Sequence, residues 1–329
     1  MLYSILLFCV RSHQNFLGLR RTYFIFFIFG LFLFPMKTHS QGLRWEAGVN
    51  VGPAFFLGDL GGNRGEGTNF IKDVNPQFAH ITTGVFIAAY PSDFIGIRLA
   101  AQLGKLEGSD GAVNTKGQYE WQRKERNLDF KTNISEIYGA VEIFPLMLFH
   151  RVKIIQPRLR PYGVIGIGLF HFNPQGSLTD PHGNQTWYYL HSLRTEGEGM
   201  KEHPDVKEYK LTQVNIPLGF GIKYFLSEKV DVSWELLYRK TFTDYIDDVS
   251  NKYIDPSDFE KYLSSSECLI AEQISNKSLN ASAPGTKRGS PHKDAYFNVF
   301  LKIGVHFGRQ YRNDVRSDLA NHSKCPGLF

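Results

Sequence analysis

The stretch Val230-Asp231-Val232-Ser233-Trp234-Glu235-Leu236-Leu237-Tyr238-Arg239 sets Val230, Val232, Trp234, Leu236 and Tyr238 at every second position, with Asp231, Ser233, Glu235 and Arg239 between them. Successive side chains of an extended chain point to opposite faces, so this run reads as a strand with one apolar and one charged face. The preceding segment repeats the pattern, with Val214, Ile216, Leu218, Phe220, Ile222 and Tyr224 against Gln213, Asn215, Pro217, Gly219, Gly221 and Lys223. Residues 95–104 set Ile95, Ile97, Leu99 and Leu103 against Gly96, Arg98, Gln102 and Gly104, and residues 296–307 set Val299, Leu301, Ile303 and Val305 against Lys302, Gly304 and His306. A further strand begins at Trp45, Ala47, Val49 and Val51, with Glu46, Gly48, Asn50 and Gly52 opposite. Weaker alternation at about 77–90, 129–144 and 159–172 brings the number of strands to eight; Glu136, Tyr138, Ala140 and Glu142 share a face in the second of these.

The connections say more than any single strand. Links near Pro91-Ser92-Asp93 and Leu226–Lys229 are short and the one at about 145–158 is moderate, whereas those at roughly 57–76, 106–128, 173–209 and 241–294 are long. Alternation of short turns and long loops is the asymmetry of outer-membrane barrels, whose turns face the periplasm and whose loops face outward. A soluble eight-stranded barrel or sandwich would alternate equally well with its apolar face inward. Three features favour the membrane. Glycine recurs on the polar face (48, 52, 96, 104, 219, 221, 304), which makes room in a narrow barrel but would weaken an exposed sheet. Aromatic residues fall near the ends of the apolar faces (Trp45, Phe55, Tyr90, Phe94, Tyr224, Tyr238, Phe297, Phe307), as interfacial girdles require. The third is the loop asymmetry together with the N-terminus.

There, Arg20-Arg21 precedes the apolar run Tyr23–Phe34 and the polar stretch Met36–Gln41, the order of a secretory signal. The apolar run is shorter than the roughly 20 residues of a membrane-spanning helix. Residues 1–41 are therefore expected to be a signal peptide, 42–308 the barrel and 309–329 a periplasmic tail. Without residues 1–41 the charge falls from +5 to 33 − 32 = +1, so no nucleic-acid partner is implied. Only Cys268 and Cys325 then remain, so a disulfide framework does not hold the fold. Fourteen per cent aromatics and a mean hydropathy of −0.25 suit many strands and turns and exclude a helical membrane bundle.

The expected fold is thus all-β: an eight-stranded antiparallel transmembrane β-barrel of the outer membrane with long extracellular loops. Eight strands leave an interior that side chains just fill. The inward charges comprise Glu46, Glu136, Glu142, Asp231 and Glu235 against Arg98, Lys223, Arg239 and Lys302. Buried charges persist only when paired, so a salt-bridged plug and no conducting pore are expected.

Chemistry-bearing motifs are sparse. The run Asp244, Asp247, Asp248, Asp255, Asp258 offers hard oxygens to Ca²⁺, but its spacing is not that of an EF-hand, and such runs ordinarily cap a strand end or decorate a solvated loop. Gly58–Gly67 does not match a phosphate-binding loop and follows no parallel strand–helix unit. His171, Asp180, His182, His191, Ser192 and His203 lie scattered among loops, with no spacing that marks a nucleophile and base. Trp187-Tyr188-Tyr189 could meet glycan or lipid headgroups or fold onto the rim. Accordingly no catalytic residue, cofactor or metal is expected. Arg151, Lys153 and Arg158 in the 145–158 link would face the periplasm and could dock a partner by charge.

Several stretches carry a resemblance: Phe56-Leu57-Gly58-Asp59-Leu60-Gly61-Gly62, Arg160-Pro161-Tyr162-Gly163, Thr195-Glu196-Gly197-Glu198-Gly199, Asn215–Gly221, Tyr245-Ile246-Asp247-Asp248-Val249-Ser250 with Tyr253, and Lys324-Cys325-Pro326. Together they resemble the family of outer-membrane barrels that includes PorG, a component of the type IX secretion system. The resemblance spans nearly all of the mature chain but is weak from Phe259 to His292. It implies a non-enzymatic barrel associated with the periplasmic ring of that machine. The alternatives are a structural or surface-binding barrel whose long loops take an external ligand, and an outer-membrane enzyme. Expected partners are outer-membrane lipid and, through the resemblance, secretion-ring proteins.

Overall fold

Alternation of residue type becomes alternation of exposure along eight long strands: β1 (Arg44–Leu57), β2 (His80–Tyr90), β3 (Ile95–Ser109), β4 (Asp129–Ile143), β5 (Leu159–His171), and, after a small hairpin of β6 (Gln175–Thr179) and β7 (Gln185–Tyr189), β8 (Thr212–Phe225), β9 (Val230–Thr241) and β10 (Ala295–Gly308). The computed structural model describes residues 43–60, 74–113, 118–149, 157–278 and 280–308. The expected signal at 1–41, the tail at 309–329 with Cys325, and Arg151 and Lys153 lie outside the described residues.

Every long strand pairs antiparallel with both neighbours. The ring runs β1-β2-β3-β4-β5-β8-β9-β10 and returns to β1. β1 and β10 are the first and last strands, and their register from Arg44↔Gly308 to Leu57↔Ala295 closes the barrel. Closure leaves no strand edge among the eight, which is what permits a sheet to sit in lipid, where an unpaired backbone group has no water to bond.

The outward positions are apolar on every strand. Val49, Val85, Leu99, Ile137, Ile167, Leu218, Trp234 and Ile303, one from each of the eight, are all exposed. The intervening positions are buried inside: on β9, Asp231, Ser233, Glu235, Leu237 and Arg239. Strands of 11–15 residues reach or exceed the roughly 9–11 needed to cross a bilayer. The surplus extends β3 and β4 outward, where Ser109 still pairs with Asp129.

One girdle residue is corrected. Tyr90 points inward and is buried, with its hydroxyl 2.5 Å from a Glu46 carboxylate oxygen. Since Val85 and Ile87 face outward, period two forces Tyr90 inside; its ring lies over Gly96, where a Cβ would fall 2.5 Å from a ring carbon.

Three of the long links, those at 106–128, 173–209 and 241–294, hold regular structure among the described residues. A helix over Gln118–Arg126, the β6–β7 hairpin, a 3₁₀ turn over Pro256–Lys261 and a helix over Ser265–Ser275 together build an outer cap. The last helix starts where the Glu267 carboxylate accepts the Ser264 N–H at 3.0 Å, a capping-box contact. Its inner face, with Cys268, Ala271 and Ile274, packs on Leu190, Leu193, Met200, Ile254 and Phe259 as a second apolar core.

Candidate functional site

Inward side chains fill the lumen in tiers. Nearest the short turns, Glu46 meets Lys223, Tyr90 reaches Glu142 at 2.8 Å, and His306 Nε2 lies 2.6 Å from Asp231 Oδ2. One tier further out, Arg98 grips Glu235 with both terminal nitrogens at 2.9 and 2.7 Å and donates its Nε to Glu142 at 2.6 Å. Tyr162 and Lys302 add donors to Glu235 at 2.7 and 3.1 Å. The outermost polar tier sets Arg239 on Glu136 and, at 2.8 Å, on Asn298, while Asn215 donates to Glu136 at 2.7 Å and Gln102 also contacts it. Buried charges are stable in this form because each carboxylate has a cation and further donors.

Above the charges lies an apolar seal made of Phe56, Leu60, Leu106, Phe130, Phe170, Phe172 and Ile246, with Tyr209 and Tyr296 at its edges. A void of about 10 Å³ between Thr82, Gln102 and Tyr296 has room for no more than a single water.

Beyond the seal, three of the stretches that carry the resemblance meet, those at 56–60, 195–199 and 245–250. Asp59 accepts the N–H and hydroxyl of Ser290 at 2.7 and 2.8 Å, and the Leu60 N–H donates to Asp247 at 2.9 Å. Thr195 and Tyr209 both donate to Asp248, the latter at 2.6 Å. Glu196 accepts the Ser250 and Asn251 N–H groups at 2.9 and 2.8 Å and the Arg288 guanidinium at 2.9 Å. Arg126 binds Asp110 through two nitrogens and the Asp59 and Arg288 carbonyls at 3.0 and 2.7 Å.

Carboxylates outnumber cations in this cap. Burial, reinforced by the neighbouring Asp59 carboxylate, pushes Asp247 well above the usual carboxylate range. Burial and Asp247 do the same to Asp294. Asp244 is pushed up by burial, to about 8. The run expected to cap a strand end or decorate a solvated loop is therefore divided: Asp244, Asp247, Asp248 and Asp258 are buried, while Asp255 is exposed and caps the 3₁₀ turn.

The structure places Glu46, Arg98, Glu136, Glu142, Lys223, Asp231, Glu235, Arg239 and Lys302 together in the lumen, all buried. Sequence reasoning did not pair them; it set Tyr138 on the face of Glu136 and Glu142 and His306 on the polar face, but gave Tyr90 to the girdle and assigned Tyr162 no place among the charges. Phase along the strand would have located all of these. Arg158 is exposed at the start of β5, where its carbonyl accepts the Phe225 N–H. Among scattered enzyme candidates, His203 pairs with Asp258 at 3.1 Å, His191 with the Tyr209 carbonyl at 2.9 Å and His171 with the Thr212 hydroxyl at 3.1 Å, while Asp180 holds the β6–β7 turn through His182 and Asn184. Trp187 lies in β7 beneath the Lys131 ammonium, 3.8 Å from the ring centroid.

A closed barrel with an apolar outside, a charged interior and structured loops at one end is a transmembrane β-barrel, and this chain is an eight-stranded barrel of the bacterial outer membrane. No protein-family model and no curated protein matches it in sequence. It is similar in structure to the attachment invasion locus protein Ail of Yersinia pestis, solved with the heparin analogue sucrose octasulfate, at 7% identity, TM-score 0.34 and coverage of 81% of this chain and 99% of that one. It is also similar to Neisserial surface protein A (11%, 0.33, 80% and 97%) and to a major outer membrane protein from Thermus thermophilus (12%, 0.36, 80% and 99%). Likenesses this low say nothing about activity.

Proposed function

We propose that the chain is a non-enzymatic, non-conducting scaffold barrel that forms part of, or serves, a type IX protein secretion machine, and that it docks on the periplasmic ring through its short-turn end. The observation that carries the reading is that the barrel's interior is closed twice, by the paired charges of the lumen and by the apolar seal over them. A barrel so filled works through its surfaces. The resemblance of its loop stretches to the PorG-containing family supports the choice of machine, and the basic residues Arg151, Lys153 and Arg158 of the 145–158 link would supply charge for docking at the short-turn end.

The test is affinity purification of the tagged protein from cross-linked cells, together with deletion of its gene. Ring components should co-purify, cargo of the type IX route should stop reaching the cell surface, and reversing Arg158 together with Arg151 and Lys153 to Glu should reduce co-purification. Normal cargo export by the deletion strain, with no ring component recovered, refutes the reading. It would favour a surface-binding barrel, for which the half-exposed Tyr189 beside the Lys131–Trp187 pair on the outer rim is the natural contact.

A further inference from the structure

We propose that Glu46, Asp231 and His306 form a binding site for a zinc-like divalent cation that clamps the seam where the barrel closes. The three lie on adjacent strands at one level: Glu46 of β1 faces His306 of β10, and Asp231 of β9 faces Gly304 of the same β10. One ligand atom from each falls within 4.8 Å of the others. All three side chains are buried, and Glu46 Oε1 has no hydrogen-bond partner among the described residues.

The surroundings aim these atoms at one another. Glu46 Oε2 is held by the Tyr90 hydroxyl at 2.5 Å and by Lys223, and Asp231 Oδ1 accepts the Ser233 hydroxyl at 3.0 Å. Glu46 Oε1 and Asp231 Oδ2 are directed over Gly304; Asp231 Oδ2 lies 2.6 Å from His306 Nε2, a direct contact that the ion would replace. A Cβ on Gly304 would lie 2.7 Å from Asp231 Oδ2 and closer still to Glu46 Oε1, so glycine keeps the place between them open. Outer donors that orient metal-binding carboxylates in this way are a regular part of metal sites.

Two carboxylates and one imidazole make a three-ligand set suited to a borderline ion with a water as fourth ligand, whereas Ca²⁺ demands six to eight oxygens. Lys223, 4.0 Å from Asp231, opposes a cation there. Its ammonium has another carboxylate, Glu142, within electrostatic reach and joined to it through the Tyr90 hydroxyl. Because β1 and β10 are the chain's first and last barrel strands, an ion shared between them and β9 would lock closure at the periplasmic end.

The experiment uses the whole barrel in detergent, stripped with chelator and titrated with Co²⁺ and then Zn²⁺. Wild type should bind one Co²⁺ per chain with visible d–d absorption, lose it to Zn²⁺, and resist thermal unfolding more strongly with Zn²⁺ bound. His306→Gln removes one ligand, and Gly304→Ala keeps all three but fills the space between them. Each should weaken binding roughly tenfold or more, with folding checked by heat-modifiable gel migration, while the exposed-rim change His171→Gln should leave it unaltered. Absence of stoichiometric binding by wild type, or undiminished binding by either folded variant, overturns the site.

Discussion

Replacing Arg98 with Met keeps most of its length and removes its charge from the centre of the lumen. Arg98 is about 1% exposed and its partners Glu142 and Glu235 no more so, and it supplies three hydrogen bonds of 2.6–2.9 Å to these two carboxylates. Charge-assisted bonds contribute about 1.5–3 kcal/mol each, so the three together amount to roughly 4.5–9 kcal/mol at most. Glu235 keeps Lys302 and Tyr162 as donors, and Glu142 shares the single Tyr90 hydroxyl proton with Glu46, so part of that sum is retained. The expected net loss is about 3–5 kcal/mol, the range for breaking a buried pair from one side. Reversible urea unfolding in lipid vesicles, followed by tryptophan fluorescence, measures it. Adding Glu235→Gln to Arg98→Met should recover part of the loss, because a neutral amide no longer needs a cation. A single-variant cost below about 1 kcal/mol, the value of a solvated surface pair, would refute the reasoning and show water among the lumen charges.

Leu99→Arg, which puts a charge on the exposed mid-strand face of β3, should destabilise the barrel by roughly 2–4 kcal/mol in the same assay, and Leu236→Arg on β9 should behave alike; no loss in vesicles would contradict the lipid-facing orientation. In planar bilayers the folded monomer should give no steady conductance, and porin-like steps would show that the seal and the paired charges fail to close the lumen. The cap should loosen with rising pH. Its aspartates have folded-state pKa values raised above the unfolded ones, so their contribution is complete below the ordinary Asp range and is lost as pH climbs, with Asp244 ionising at about 8. Proteinase K should therefore cut the 242–294 link faster at about pH 9 than at about pH 6 after correction for enzyme activity, and equal rates would count against it. Cys268, buried in the cap core, should resist maleimide in the folded protein and react once urea opens the cap; rapid labelling of native protein would mean that the cap core is open.

Much of this molecule follows from the period of a strand. Once Val230, Val232 and Trp234 are known to face lipid, Asp231, Ser233 and Glu235 must face inward, and the same arithmetic locates every lumen charge. Tyr90 obeys the rule too; its aromatic character suggested the girdle, although its phase after Val85 and Ile87 put it inside. Sequence did not disclose who pairs with whom. Arg98 and Glu235 stand 137 positions apart and meet across the lumen, because closure brings β3 opposite β9 and only a ring of fixed strand number and register sets that geometry. The cap was the least legible part. Its links have no two- or 3.6-residue period to read, and Asp59 finds Ser290 across 231 positions only after the barrel has brought both ends of the chain to one rim. Strand faces are local and repeat every two residues, so the sequence alone determines them; the pairing of charges and the assembly of the cap depend on contacts between distant segments, and the tertiary structure decides those.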